Sequence, residues 1–330
     1  MNRLIAKAAP GLLAGAWLLV SPCALAGSAA DAVGPVQVLT NLQFSPTALG
    51  SDATSQLMNS AIHSLAANST TLSMPGWTFG SHNGGSLLIS TTTTTPVSGD
   101  SSYALEAVYP ASTGGGQYTW ADYSVSSLNT RDVYIEFWAK MPDAKEGLKF
   151  LKIFSKRTGS DGYARVTFGV NYTGAPSHGG IPNVEFGDGT TLVNDGQNAI
   201  RFDGTYPQWI GRSYGSAKVL TPQMSYWPAS DWGTSWHHFK AHVKFNSGTT
   251  SANEVPDGEV YLEIDGTVYA DATGLYDRNP ANGPIDYVEF GGWAQTDSQP
   301  FDVWFDNITI SSGGFASNPA PMPPEEVKAQ

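Results

Sequence analysis

The chain has one cysteine, Cys23, and it falls inside the opening stretch "MNRLIAKAAPGLLAGAWLLVSPCALA". That stretch carries Arg3 and Lys7, then an apolar run, then Ala24-Leu25-Ala26 before Gly27, the layout of a secretory signal with an A-x-A cleavage site. Pro22 and Ser21 ahead of Cys23 suit a lipid-attachment signal poorly, so simple export is expected. Once residues 1–26 are removed no thiol remains, which excludes disulfides and thiol catalysis and leaves stability to packing or a bound ion. Charge is scarce as well: 14% of residues are charged, and 29 acids against 17 bases give a formal net charge of −12. Losing Arg3 and Lys7 subtracts two positive charges and takes −12 to −14. Such a balance argues against nucleic acid or an anionic membrane as partner. After the first 26 residues no apolar segment is long enough to span a bilayer. The sequence also lacks His or Cys spacing suited to zinc, a phosphate loop, a dinucleotide fingerprint and a nucleic-acid module.

What the chain has instead is 36 Gly, 14 Tyr, 14 Phe and 10 Trp with many Thr and Ser, a composition suited to an exported all-β domain. Residues 27–70 read as a leader. Within it Leu57, Met58, Ala61, Ile62 and Leu65 space out one short amphipathic helix, capped by Ser51 or Asp52, that also contains His63. From 71 to 314 the pattern changes to short alternating runs broken by Gly, Asn, Asp and Pro: 86–91, 103–109, 132–141, 148–157, 164–172, 183–187, 237–245, 259–269, 286–293 and 301–311. Many strands with little helix between them predict an antiparallel β-sandwich of jelly-roll type. The Pro-rich tail 315–330 is expected to be disordered.

Side chains alternate across a strand, so each run sorts into two faces. In "WHHFKAHVKFN", Phe239, Ala241, Val243 and Phe245 form a core face. Trp236, His238, Lys240, His242 and Lys244 share the other. "VYIEFWAKM" sets Val133, Ile135, Phe137, Ala139 and Met141 against Tyr134, Glu136, Trp138 and Lys140. "ARVTFGVNY" sets Ala164, Val166, Phe168 and Val170 against Arg165, Thr167 and Asn171. Aromatic rings on a polar face are costly to leave in water, and sugar rings, with apolar C–H faces and polar hydroxyls, match such a surface. Cross-strand pairing of Glu136 with Lys140 or Lys240 is the plain alternative.

The segments "YIEFWAKMPD…KFLKIFSKR", "SWHHFKAHVKFNSG…DGEVYLEIDGTVY" and "IDYVEFGGW…FDVWFDNITIS" resemble the concanavalin A-like lectin/glucanase jelly rolls, closest to the exported bacterial branch related to polysaccharide lyases. The resemblance covers roughly residues 71–312. It implies two bent sheets with the polysaccharide on the concave one. It also implies a lyase set of Arg, Asn or Gln, His and Tyr, for which this chain offers Arg165, Asn171, His238, His242 and Tyr134. Eliminating across C4–C5 of a uronate needs a carboxylate neutraliser, a base and an acid. His242 is assigned as base, Tyr134 as acid, and Arg165 with Asn171 as neutralisers, with β-elimination of an acidic glycan the favoured activity. The family's Arg-x-Glu-Leu-Arg and Gln-Ile-His alginate-lyase strands are missing.

Two other functions stay open. One is glycan binding without catalysis, through Trp138, Trp236, Lys140, Glu136, Lys240 and Lys244 together with Trp209, Tyr226 and Trp227 of the long aromatic loops. The other is glycoside hydrolysis, which would need a carboxylate pair such as Glu136 with Glu289, or Glu263 with Asp265. Asp265, before Gly266, reads better as a turn residue. His82 and His178 sit in Gly-rich stretches, where each reads as a cleft residue or, the favoured reading, as a solvated turn. No cofactor is required. Asp302 and Asp306 share a strand face, and jelly rolls of this type often hold a structural calcium there. The protein is expected to be a monomer.

Overall fold

The computed structural model describes residues 28–32, 34–42, 62–63, 72–74, 76–91, 96, 103–111, 116–141, 148–156, 163–171, 181–187, 199–202, 207–210, 218–219, 235–248, 253, 255, 257–275, 283–294 and 300–316. In chain order the strands begin with β1 (Gln37–Leu42), β2 (Ile62–His63), β3 (Leu72–Met74), β4 (Trp77–His82), β5 (Ser86–Thr91), β6 (Tyr103–Tyr109) and β7 (Gln117–Ser124). They continue with β8 (Asp132–Lys140), β9 (Leu148–Lys156), β10 (Tyr163–Asn171), β11 (Ile181–Gly187), β12 (Ala199–Phe202) and β13 (Pro207–Ile210). The last are β14 (Lys218–Val219), β15 (His237–Lys244), β16 (Gly258–Ile264), β17 (Thr267–Leu275), β18 (Tyr287–Ala294) and β19 (Phe301–Ser312).

These strands make two sheets. The first runs β14-β17-β16-β15-β8-β19-β6-β5-β2, with β1 added alongside β19, and the second runs β13-β12-β11-β10-β9-β18-β7-β4-β3. The alternation read from the sequence places one face of each central strand in a shared core. Phe137 stacks on Phe239 at 4.8 Å within the first sheet, while Phe290 and Phe150 of the second meet them edge-on at 5.3 and 5.4 Å. All four rings are fully buried, and each contributes about 1.5–3 kcal/mol by leaving water.

Nine of the ten expected runs coincide with single strands, and the tenth, 259–269, resolves into the hairpin β16–β17. Its turn is Asp265-Gly266, with φ of 51° and 77°, the left-handed pair that an Asp-Gly hairpin turn requires. Ile62 and His63 depart from expectation: they pair with Leu87 and Ser86 as β2 rather than continuing a helix. The rest of that helix lies outside the described residues, as do Tyr226, Trp227, His178 and the tail beyond 316. No helix among the described residues is long and apolar enough to cross a membrane.

Residues 28–32 and 34–42, read as part of a leader, are built onto the first sheet. β1 pairs with β19, and the residues before it lie across the outer face. Ser28 Oγ and the Ala29 amide both donate to Asp271, at 2.8 Å each. Phe315, at the other end of the chain, packs edge-on against Tyr134 at 5.0 Å.

Candidate functional site

A sandwich has two outer faces, and the expected site residues divide between them. Tyr134, Glu136, Trp138 and Lys140 on β8 face outward beside His238, Lys240, His242 and Lys244 on β15, in direct register. Arg165 and Asn171 belong to β10, in the other sheet. The expected catalytic set of His242, Tyr134, Arg165, Asn171 and His238 is therefore not one site. Alternation sorts the two faces of a strand but says nothing about which sheet the strand joins.

His242 and Tyr134 are closed off as well as separated. Their rings stack at 3.9 Å and both residues have 0% exposure. His242 Nδ1 meets the Ala29 carbonyl and Nε2 meets Asp132 at 2.5 Å, so neither nitrogen is free to take a proton from a substrate. The Tyr134 hydroxyl donates to the Asp31 carbonyl at 2.9 Å, and burial raises its pKa far above that of an ordinary phenol. Both roles assigned from the sequence are corrected here: the pair anchors the N-terminal residues.

The far end of the same face is aromatic and basic. Trp138, Trp236 and Ala104 cluster with partly exposed Trp304, and the Lys140 ammonium lies 4.2 Å from the Trp304 ring and 5.7 Å from Trp236. His238 stacks on Trp138 at 5.0 Å, and burial lowers the pKa of both His238 and Lys140. Glu136 is pushed up to about 7 by burial, against the pull of Lys240 and with help from the Glu263 charge. Lys240 sits between Glu136 and Glu263 at 3.9 and 3.7 Å, while Lys244 pairs with Glu259 at 2.6 Å. Asp302 and Asp306 lie on this sheet; burial and then Glu106 push Asp302 up to about 6. Among the described residues no three His, Cys, Asp or Glu side chains gather as a cation site. Trp209 lies in β13 at the end of the second sheet, paired with Ile200.

Glu136 and Glu289 face outward from different sheets, with the whole core between them. Stacked sheets alone stand about 10 Å apart, beyond the separation of a working glycosidase pair once outward side chains are added. Asp265 is held in its turn, where its carboxylate accepts from the His238 amide at 2.8 Å and from His237 at 2.5 Å. Both hydrolase pairs are thereby removed.

The outer face of the second sheet carries a tighter constellation. Register places Thr167, Lys152, Glu289, Asp122 and Thr78 in one row across β10, β9, β18, β7 and β4. Lys152 Nζ donates to Glu289 Oε1 at 2.5 Å and to the Tyr118 hydroxyl at 3.1 Å, and that hydroxyl donates to Glu289 Oε2 at 2.6 Å. The ammonium also lies 4.2 Å from the Tyr118 ring centre. Lys152 and Glu289 are buried, at 7% and 3% exposure. Burial and then the Glu289 charge push Asp122 up to about 8. Thr167 Oγ1, fully buried beside Lys152, has no hydrogen-bond partner among the described residues.

His82 completes the face. It ends β4 directly across from Tyr118, next to Trp120, whose ring packs 5.3 Å from that of Tyr118. Trp120 lies over Gly80, where a Cβ would come within 2.2 Å of the indole. Beyond Glu289 the backbone bends at Gly291 and Gly292, with φ of 87° and 111°, and a Cβ on Gly292 would meet the Lys149 carbonyl at 2.3 Å. Pairing of β18 with β9 ends at Phe290, and such interruptions re-aim side chains beside functional sites. Tyr118, Lys152, Asp122 and His82 were absent from the expected set. The alternation of "QYTWADYS" was the available signal, since it puts Tyr118, Trp120 and Asp122 on one face.

No family model and no curated protein matches this chain. Solved structures similar to it include an alginate lyase in complex with an alginate trisaccharide, at 15% identity and a TM-score of 0.44, covering 84% of this chain and 98% of that one. Another is an alginate lyase from Chlorella virus, at 15% identity and a TM-score of 0.44, covering 74% and 98%. A third is an endo-β-1,4-glucuronan lyase from the fungus Trichoderma reesei, at 12% identity and a TM-score of 0.45, covering 75% and 96%.

Proposed function

We propose that the protein is an exported polysaccharide lyase of concanavalin A-like jelly-roll type that cleaves a uronate-containing glycan by β-elimination on the outer face of its second sheet. One observation carries this: Lys152, Tyr118 and Glu289 are hydrogen-bonded to one another there, and His82 stands directly across from Tyr118 on the neighbouring strand. The Lys152 ammonium neutralises the uronate carboxylate and so stabilises the charge that builds when C5 loses its proton. His82 takes that proton. The C5–H electrons form the C4=C5 bond, the C4–O4 bond breaks, and the Tyr118 hydroxyl protonates the departing oxygen. A protein of formal net charge −12, or −14 without residues 1–26, repels an acidic chain at long range, so a local cation is needed where the carboxylate lands.

The test uses residues 27–330 against alginate, glucuronan, pectate and glycosaminoglycans, following the ultraviolet absorbance of the unsaturated uronate product. Absorbance growth that falls about a hundredfold or more in His82→Ala and in Lys152→Ala supports the assignment. Full activity in both variants would remove these residues from the mechanism. The second reading is glycan binding without catalysis, favoured by the Trp138, Trp236 and Trp304 cluster with Lys140 on the first sheet. A flat trace on every substrate, with retention of the protein in a glycan affinity gel that Trp304→Ala abolishes, would establish it instead.

A further inference from the structure

We infer that Glu289 and Asp122 act as a proton-sharing carboxyl pair that positions Lys152 and Tyr118, neither carboxyl itself touching the sugar. The inference rests on the lyase reading. Glu289 is the middle member of its row, opposite Lys152 on one neighbouring strand and Asp122 on the other. Both of its oxygens are taken: Oε1 by the ammonium at 2.5 Å and Oε2 by the phenol at 2.6 Å. Accepting at both oxygens and only 3% exposed, Glu289 is committed to holding these two groups rather than to acting as nucleophile or base. What it does is fix two groups of opposite function at one spacing, the Lys152 ammonium and the Tyr118 hydroxyl, which also touch each other at 3.1 Å.

Asp122 makes this arrangement stable. The groups facing the pair are Tyr118 from β7, Lys152 from β9 and two uncharged hydroxyl residues, Thr78 from β4 and, beyond Lys152, Thr167 from β10; His82 lies further along β4, across from Tyr118. One ammonium therefore faces two carboxyls. If both were ionised, a second negative charge would stand beside Glu289 in a poorly solvated row and compete with it for Lys152. A proton held between the carboxyls removes that competition, as it does wherever two such groups are forced together. Asp122 Oδ1 has no hydrogen-bond partner among the described residues, as fits a carboxyl engaged through one edge only.

The consequence is an alkaline limb in the rate that belongs to the pair. As the shared proton is lost, the ammonium is drawn toward two carboxylates and away from the incoming uronate. Asp122→Asn keeps a neutral donor at that position and is expected to erase the alkaline limb of the kcat profile. Glu289→Gln is expected to lower kcat about a hundredfold while KM changes by less than about threefold, since positioning is lost and glycan contacts are kept. An Asp122→Asn profile that matches the wild type, or a Glu289→Gln enzyme with wild-type kcat, would overturn the inference. A wild-type protein inactive on every glycan would instead defeat the lyase reading. The pair is then tested alone, by following the Asp122 carboxyl carbon through a pH titration by NMR. Its midpoint should drop by about one unit or more in Glu289→Gln, as expected when a like charge within contact distance is removed; an unchanged midpoint would reject the pair. Circular dichroism and melting of each variant separate these effects from misfolding.

Discussion

His242 has an acceptor at each ring nitrogen, the Ala29 carbonyl on one side and Asp132 on the other, and its ring lies flat against Tyr134. Replacing it with alanine leaves Asp132 and a backbone carbonyl facing a cavity without their partner. Breaking one side of a buried, hydrogen-bonded pair of this kind costs about 3 kcal/mol. His242→Ala should therefore shift the denaturation midpoint strongly while leaving kcat on a uronate substrate unchanged at temperatures where the protein remains folded. A loss of kcat with an unchanged midpoint would return His242 to the chemistry. The contrast with His82 is one of surroundings: His82 lies on the second sheet's outer face, across the ladder from Tyr118, where a substrate can reach it.

Among the elements, the N-terminal segment explains much of the difference between the two faces. Asp271 accepts from Ser28 and Ala29, Tyr134 donates to Asp31, and Gly313 approaches Pro35 so closely that a Cβ would stand 2.3 Å from its carbonyl oxygen. A protein lacking residues 27–36 loses the first three of these hydrogen bonds, each worth about 1 kcal/mol. It is expected to unfold at a lower denaturant concentration, by about 3 kcal/mol in total, with the second sheet's activity retained. Equal stability of the shortened and full proteins would contradict the anchoring role.

The same elements show what the sequence made legible. Core faces such as Phe239-Ala241-Val243 could be read from period-2 alternation, because burial acts on every second residue of a strand regardless of its partners. The Asp265-Gly266 turn was legible because few residue pairs tolerate two positive φ angles. Strand order was not legible. Whether β15 and β10 share a sheet depends on non-local pairing that leaves no trace within either strand, and so His242 and Arg165 were grouped although they belong to opposite sheets. The segment 28–32 carries neither alternation nor helical period, and its role as a cover arises only from hydrogen bonds to residues more than a hundred positions away.

At the scale of the whole molecule, three carboxyls among the described residues keep their protons longer than ordinary ones: Asp122 to about 8, Glu136 to about 7 and Asp302 to about 6, each because burial penalises its charged form. Their unfolded values lie near 4. Between about pH 4 and the folded values, the native state binds more protons than the unfolded chain, so raising the pH lowers stability. The formal net charge of −12 adds self-repulsion in the same direction. The melting temperature is thus expected to fall by several degrees from about pH 5 to about pH 8, the window these folded and unfolded values define. Asp122→Asn and Glu136→Gln should each flatten that slope. Because the two groups stand on opposite faces with the core between them, their effects should add in the double variant. Differential scanning calorimetry across the pH series distinguishes the contributions. A slope unchanged in Asp122→Asn would mean that the second sheet's row is already ionised at neutral pH, and the buried ammonium would then be balanced by two charges rather than one.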